Sequence, residues 1–237
     1  MKKTKTKYIC SNCGYESLRW IGKCPECDSW NSFTEEIIEE NKRAPKPYKG
    51  KIQIQKIQDI SAKETDRIIT GIAEFDRVLG GGLMPGSVIL LGGDPGIGKS
   101  TLAMQTTSKL NDKVLYVTGE ESTKQIKIRS QRLNLKSDNF YVLAETNLSV
   151  ILSAIKELKP AVVVIDSIQT IYREELDNSP GTVTQIRECT SILQDAAKRN
   201  NFCVIIVGHV TKDGMIAGPK IMEHIVDTVL YFEGNSN

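Results

Sequence analysis

A loop of eight residues, from position 93 to position 100, carries the clearest chemistry in this sequence. It fits the pattern G-x-x-x-x-G-K-[ST] at every specified position, and it lies between a strand-like apolar run at 87–91 and a helix-like run at 101–110. Its glycines let the backbone curl so that successive N–H groups point at phosphates, and the helix dipole adds positive charge. The pattern predicts a nucleoside triphosphate site, although a glycine-rich turn can match it by chance.

The residues of this loop have expected roles in that site. Lys99 is expected to reach the β- and γ-phosphates, and the Ser100 hydroxyl is expected to ligate Mg²⁺. The residues predicted to bind the nucleotide are Gly93, Asp94, Pro95, Gly96, Ile97, Gly98, Lys99, Ser100 and Thr101.

Acidic residues follow two further apolar runs. Asp166 ends the run 162–165, the pattern by which a second strand delivers a carboxylate to the Mg²⁺ shell beside the phosphate loop. Glu120 and Glu121 come after the run 116–118, and the carboxyl ends of parallel strands face the ligand crevice. One of these glutamates is expected to orient and deprotonate the attacking water, with Lys99 as the catalytic cation. The alternative is a solvated acidic turn that caps the next helix.

His209 follows the apolar run 204–207 and precedes a glycine-containing segment at 213–218. A polar residue at this strand end can contact the γ-phosphate and transmit its loss to that segment. A histidine that caps a loop for local reasons fits the pattern almost as well. A second predicted loop at 172–182 lies above the same edge, where partners can bind. Core or helix packing is expected for His224, Cys189 and Cys203.

Four cysteines form two C-x-x-C pairs, and ten residues separate the pairs. Four thiolates in two knuckles satisfy a closed tetrahedral Zn²⁺ site, and so short a segment could hardly fold without the metal. A redox C-x-x-C would normally be single and lie near a βαβ unit. The sequence therefore predicts a structural zinc site whose ligands are Cys10, Cys13, Cys24 and Cys27.

The overall composition shows no bias towards a particular class of partner. The 237 residues carry a formal net charge of +2, so any surface for nucleic acid would have to be local. No apolar run approaches the roughly 18 to 20 residues of a membrane span, and no apolar signal segment follows the basic start. The chain is therefore expected to be cytoplasmic and to have no membrane partner.

The chain divides into three predicted parts: a zinc ribbon at 1–33, a linker at 34–58 and an α/β domain at 59–237. The linker is charge-rich and contains two prolines, although Ile52, Ile54 and Ile57 can instead add an edge strand to the next domain. Helical patterns occupy 148–158, behind an Asn147 cap, and 183–196. Continuous apolar runs predict strands covered on both faces of a mostly parallel, twisted sheet, at 88–91, 114–117, 141–143, 162–165, 203–207 and 229–232.

Five segments together resemble the bacterial RadA (Sms) family of RecA-like DNA repair ATPases. They are the four-cysteine ribbon, T-G-I-A-E-F-D-R-V-L-G-G-G-L at 70–83, the phosphate loop, T-G-E-E-S at 118–122 and G-H-V-T-K at 208–212. The resemblance spans essentially the whole chain. It implies a RecA-like P-loop core that binds ATP between subunits of a ring on DNA and uses hydrolysis to drive branch migration of recombination intermediates.

The resemblance also implies roles for particular residues. Glu120 matches the water-activating glutamate of the family, with Glu121 as its neighbour, and Asp166 matches the metal-site acid. The segments 172–182 and 211–218 match loops that face single-stranded DNA in RecA-like rings. The implied cofactors are ATP, Mg²⁺ and Zn²⁺, and the implied partners are single-stranded or branched DNA, further copies of the chain in a homo-hexamer, and the recombinase RecA.

Three functions fit these observations. The leading expectation is a DNA-stimulated ATPase, a helicase-like translocase of homologous recombination. A KaiC-like nucleotide-switched ring would bind protein instead of DNA, and a zinc-dependent interaction module would hold its nucleotide for structure only. RadA proteins continue past the position of Gly234 into a Lys-Asn-Arg-Phe-Gly motif and a domain resembling the Lon protease, whereas this sequence ends at Asn237. ATP binding is expected of this stretch, and the missing segments affect that expectation much less than they affect complete translocating activity.

Overall fold

A computed structural model describes residues 4–39, 56–59, 67–135, 137–208 and 222–233 of the chain. These residues form two sheets, one of three strands near the N-terminus and one of six strands. None of the helices in these ranges is long and apolar enough to cross a membrane.

The small sheet is antiparallel and frames the two cysteine pairs. Its strands are β1 (Thr4–Cys10), β2 (Glu16–Ser17) and β3 (Phe33–Glu39), in the order β2-β1-β3. β1 and β3 pair along their whole length, from Thr4 opposite Glu39 to Cys10 opposite Phe33. The sheet thus includes residues 34–39 of the predicted linker, because main-chain hydrogen bonding to β1 decides where this strand ends.

The large sheet is parallel in every pairing and has the strand order β6-β5-β7-β8-β4-β9. The order confirms the predicted α/β fold. β8 lies between β4 and β7. The phosphate loop after β4 and Asp166 at the end of β7 therefore lie on the two sides of β8. The strands are β4 (Val88–Gly93), β5 (Val114–Thr118), β6 (Phe140–Ala144), β7 (Val162–Asp166), β8 (Cys203–Val207) and β9 (Thr228–Phe232).

The continuous apolar runs form the four central strands because helices cover both of their faces. Every residue of β4, β5, β7 and β8 is buried. β6 and β9 are the edges of the sheet, and the expectation of full coverage is wrong for them. Tyr141 on β6 is 40% exposed and Tyr231 on β9 is 50% exposed.

Local capping explains where two of the helices begin. The Asn147 side chain accepts a hydrogen bond from the Ser149 N–H at 2.9 Å, as predicted for the start of α4. Ser122 and Gln125 form a capping box at the start of α3. The α-helices in the described ranges are α1 (Ala73–Val78), α2 (Lys99–Thr107), α3 (Thr123–Arg132), α4 (Leu148–Leu158) and α5 (Val183–Asn200).

Alternate residues of the central strands reach two separate cores. On one face, Val163 and Ile165 pack with the buried stripes of α4 and α5. On the other face, Val162, Val164 and Tyr116 pack with residues of α2 and α3. The sheet is therefore the middle of three layers.

The ribbon contacts the large domain through a small apolar cluster. Ile9 of β1 packs with Val183 at the start of α5 and with the partly buried Ile225. Beside this cluster, the guanidinium of Arg187 lies 3.9 Å from the carboxylate of Glu16.

Candidate functional site

The phosphate loop joins the buried strand β4 to helix α2, as predicted. β4 ends at Gly93 and α2 begins at Lys99, so the loop presents its backbone at the helix N-terminus. Gly93 has a φ of 144°, and a Cβ there would lie 2.4 Å from the carbonyl oxygen of Phe232. Gly98 precedes the helix in a left-handed conformation with a φ of 108°. Both positions require glycine.

The Lys99 side chain is buried and folds over the loop. Its Nζ donates hydrogen bonds to the carbonyl oxygens of Gly93 and Asp94, each at 2.7 Å. Burial lowers the pKa of Lys99, and the carboxylates of Asp166, Asp94 and Glu120 oppose that shift. The ammonium therefore lies inside an acidic cluster, next to the backbone that would surround a phosphate chain.

Ser100 and Asp166 meet across 66 residues of sequence. The Ser100 hydroxyl donates to the Asp166 Oδ1 at 2.9 Å, and the Tyr116 hydroxyl donates to the Oδ2. Burial raises the pKa of Tyr116, and the neighbouring Asp166 carboxylate raises it further, so the phenol keeps its proton at neutral pH and acts as a hydrogen-bond donor. Mg²⁺ prefers oxygen ligands, and the Ser100–Asp166 pair supplies two such groups beside the phosphate loop. These residues fit a magnesium site.

The two glutamates after β5 lie in different surroundings. Glu120 turns towards β7, where its Oε1 accepts a hydrogen bond from the Ser167 hydroxyl at 2.6 Å. Glu121 instead pairs with Arg129 of α3. Thr118 fixes the turn, because its hydroxyl oxygen accepts a hydrogen bond from the Glu121 N–H at 3.0 Å. Glu120 is therefore the glutamate that lies next to the predicted metal-site acid.

Other predicted site residues lie outside the described ranges or acquire unexpected partners. His209 and the segment 211–218 are outside the described residues. The loop at 172–182 is described, and it wraps around the buried side chain of Gln185 on α5. Gln185 accepts from the Arg173 N–H at 2.9 Å and donates to the Asn178 carbonyl at 2.8 Å.

Sequence reasoning missed four of these side chains: Tyr116, Arg129, Ser167 and Gln185. For Tyr116 and Gln185 a signal existed, since one is a polar aromatic in an otherwise apolar strand and the other an amide near the apolar stripe of α5. For Arg129 and Ser167 no sequence signal distinguishes them from neighbouring polar residues.

The two cysteine knuckles share one backbone pattern. In the first, the Gly14 N–H bonds to the Cys10 carbonyl at 2.8 Å, and in the second, the Asp28 N–H bonds to the Cys24 carbonyl at 2.9 Å. Gly14 and Asp28 both have a positive φ, 76° and 59° respectively. The repeated turn points both sulfurs of each pair at one centre.

The four sulfur atoms lie within 4.8 Å of one another. The Cys10 and Cys27 sulfurs are 3.7 Å apart, and those of Cys13 and Cys24 are 3.5 Å apart. Tetrahedral Zn²⁺ with Zn–S bonds of about 2.3 Å separates its sulfurs by about 3.8 Å. The cluster therefore fits the predicted zinc site.

The thiols differ in how readily they ionise in the absence of metal. Burial raises the pKa of Cys13 and of Cys24. For Cys27, burial acts in the same direction, but hydrogen bonds with Ser29, Cys13 and Cys10 together outweigh it and lower the pKa to about 6. Zinc binding must therefore displace protons from at least the Cys13 and Cys24 thiols.

The remaining cysteines and His224 separate into two groups. Cys189 and Cys203 are fully buried, as predicted, and burial raises the pKa of each thiol to about 12. The expectation for His224 is core or helix packing, and core packing is wrong because His224 is exposed. It lies on a short turn before β9.

Family models match both parts of the chain. A rubredoxin metal binding domain model matches residues 8–35, which contain the four-cysteine cluster. An AAA domain model matches residues 55–215, which contain the phosphate loop and both acidic strand ends. The chain therefore belongs to the AAA domain family and carries a zinc ribbon in front of that domain.

Among known proteins, the chain is similar to several that are named DNA repair protein RadA. It is 52% identical over 241 residues to the one from Halalkalibacterium halodurans and 50% identical over 244 residues to the one from Bacillus subtilis, in each case over 99% of this chain. It is 51% identical over 238 residues to the one from Listeria monocytogenes, over 98% of this chain. The resemblance to the bacterial RadA family is thus confirmed.

The chain spans about half the length of these relatives, between 52% and 53% of each. The AAA domain implies ATP and Mg²⁺ as ligands, and the four-cysteine ribbon implies Zn²⁺.

Proposed function

We propose that this chain is the zinc-ribbon and ATPase portion of a DNA-dependent ATPase that acts in homologous recombination and DNA repair. One observation carries the ATPase part of the proposal: the hydrogen bond from Ser100 to Asp166, at 2.9 Å, brings the phosphate loop and a strand-end acid together. The relatives named DNA repair protein RadA support the DNA part.

Binding of the triphosphate would begin at the loop backbone. The N–H groups at the start of α2 would hold the phosphates, and the Lys99 Nζ would exchange its bonds to Gly93 and Asp94 for bonds to phosphate oxygens. Lys99 would then neutralise charge that develops on the transferred phosphoryl group.

The metal site would be formed by Ser100 and Asp166. Mg²⁺, when bound, would neutralise charge on the β- and γ-phosphates and polarise the phosphoryl group. Ser100 would offer its hydroxyl oxygen to the ion, and Asp166 would offer the carboxylate that now accepts a hydrogen bond from Ser100.

Glu120 would orient and deprotonate the attacking water. Its carboxylate is held beside β7 by Ser167, whereas the carboxylate of Glu121 is neutralised by Arg129. A carboxylate in an ion pair with arginine is a weaker base, so we assign the catalytic role to Glu120 and a positioning role to Glu121.

Hydrolysis would drive translocation on single-stranded DNA and branch migration. We propose that the loop at 172–182 and the segment 211–218 contact DNA, that the complete protein forms a homo-hexamer, and that RecA is a partner. The loop at 172–182 is anchored to α5 through the Gln185 side chain, which donates to the carbonyl oxygens of Arg173 and Asn178.

The experiment compares ATP turnover of this chain, and of a version extended beyond Asn237, with and without single-stranded DNA. In whichever form turns over ATP, Glu120→Gln should lower the rate by about 100-fold or more while ATP binding is retained. Glu121→Gln is the matched control and should lower it by less than about 10-fold. A larger loss in Glu121→Gln would reverse the two roles.

Lys99→Ala should abolish both binding and turnover, since it removes the cation of the loop. If DNA neither binds to the extended protein nor raises its turnover, the DNA part of the proposal fails. A KaiC-like ring would then be the better description.

A further inference from the structure

Tyr116 is a polar aromatic residue in the middle of an apolar strand. It is fully buried on β5, where its ring packs against Phe140 with the ring centroids 5.6 Å apart. A buried phenol hydroxyl needs a hydrogen-bond partner, and here the partner is the Oδ2 of Asp166. A phenylalanine would fill the same space without that bond.

The strand register explains how this contact arises. Tyr116 lies opposite Val164 in the parallel pairing of β5 with β7, and Thr118 lies opposite Asp166. Side chains two residues apart on a strand share a face, so Tyr116 and Asp166 are on the same side of the sheet. The phenol ring is long enough to reach the carboxylate from there.

The two carboxylate oxygens of Asp166 consequently accept hydrogen bonds from different parts of the protein. Oδ1 accepts from Ser100 of the phosphate loop, and Oδ2 accepts from Tyr116 of the core. Asp166 is only 8% exposed, and a buried carboxylate without donors is unfavourable. If Ser100 turned its oxygen towards a bound cation, Tyr116 would still hold the carboxylate.

We infer that Tyr116 is a positioning residue of the magnesium site. It fixes the rotation of the Asp166 carboxylate so that Oδ1 faces the phosphate loop, and it keeps one donor on that carboxylate in both the empty and the metal-bound states. The inference rests on the proposed nucleotide site, because it assigns Tyr116 a role towards the cation of that site.

The test measures binding of a fluorescent ADP analogue to the 237-residue chain, first in EDTA and then over a magnesium titration. In Tyr116→Phe, affinity in EDTA should stay within about twofold of the wild type, because the phosphate loop is unchanged. The magnesium concentration that gives half of the maximal change in analogue affinity should rise about 10-fold. Losing a group that orients a metal ligand usually has an effect of this size. Tyr141→Phe on the exposed edge strand is the matched control and should change neither quantity.

Two results would overturn the inference while leaving the proposed metal site intact. One is a Tyr116→Phe protein that folds and has the wild-type magnesium midpoint. The other is a midpoint shift of the same size when Tyr116→Phe is added to Asp166→Ala, since a residue that acts through Asp166 has no effect without it. If the wild type binds the analogue with no magnesium dependence at all, the proposed metal site fails, and the role of Tyr116 fails with it.

A stability measurement covers the case in which Tyr116→Phe does not fold. The double variant Tyr116→Phe with Asp166→Ala removes the orphaned carboxylate and should fold again. If the double variant fails to fold while Asp166→Ala alone folds, the Tyr116 hydroxyl is needed for something other than the Asp166 carboxylate and the inference is wrong.

Discussion

The nucleotide edge of the large sheet and the zinc ribbon assemble their functional side chains in opposite ways. At the nucleotide edge, Ser100 and Asp166 are 66 residues apart in sequence and meet because buried parallel strands place them together. In the ribbon, four cysteines within residues 10–27 meet because two local turns have the same backbone conformation. The first arrangement is supported by a core independent of any ligand, whereas the second depends on its metal.

The largest predicted effect follows directly from that difference. Removing zinc with a chelator should unfold the ribbon, because structural zinc contributes on the order of 10 kcal/mol in such small modules and the ribbon core is small. The large domain should keep its own cooperative thermal transition. Amide hydrogen exchange should show that residues 8–35 lose protection while β4, β7 and β8 keep theirs.

Replacing Cys10 and Cys27 by serine is the matched variant, since it should reproduce the effect of the chelator without any chelating agent. The contrast between the two regions is wrong if β4, β7 and β8 lose protection from hydrogen exchange together with the ribbon, because the large domain would then depend on the metal as well.

A smaller effect is predicted within the nucleotide edge itself. Gly93→Ala should destabilise the large domain by about 3 kcal/mol, because the new Cβ would lie 2.4 Å from the backbone oxygen of Phe232. Gly96→Ala is the control in the same loop, where a Cβ meets nothing within 4 Å and only the φ of 78° is unfavourable. It should cost about 1 kcal/mol. If urea denaturation gave equal losses of unfolding free energy for the two variants, the contact with β9 would not constrain the loop.

The smallest predicted effects test whether the two zinc knuckles are equivalent. Gly14→Ala should weaken zinc binding by the ribbon by about 1 kcal/mol, because Gly14 has a φ of 76°. Asp28→Gly, at the corresponding position of the second knuckle, should be neutral or stabilising by less than about 1 kcal/mol. Competition with a chromophoric zinc chelator measures both. If both variants lose zinc affinity, the two knuckles differ in more than the residue at this position.

The sequence predicted the parts of this molecule that follow from local patterns. The phosphate loop, the Asn147 cap and the strand positions each depend on a few adjacent residues, and the structure has them where they were expected. The zinc cluster likewise follows from cysteine spacing and the need for four sulfur ligands. Strand order was not predicted beyond its parallel character, since several orders satisfy the same runs.

The remaining features depend on register between distant strands. Whether Glu120 or Glu121 faces the metal-site acid is decided by Ser167 and Arg129, which lie 47 and 8 residues away from their partners. The bond from Tyr116 to Asp166 spans 50 residues and requires β5 beside β7. The end of β3 at Glu39 depends on pairing with Thr4, which no composition rule indicates.

The most direct test of the central claim is a crystal structure of this chain with a non-hydrolysable ATP analogue and Mg²⁺. The account predicts that the Lys99 Nζ leaves the carbonyls of Gly93 and Asp94 for phosphate oxygens, and that a cation lies beside the Ser100 hydroxyl and Asp166. If nucleotide is bound elsewhere and Lys99 still bonds to those two carbonyls, the proposed nucleotide site is wrong.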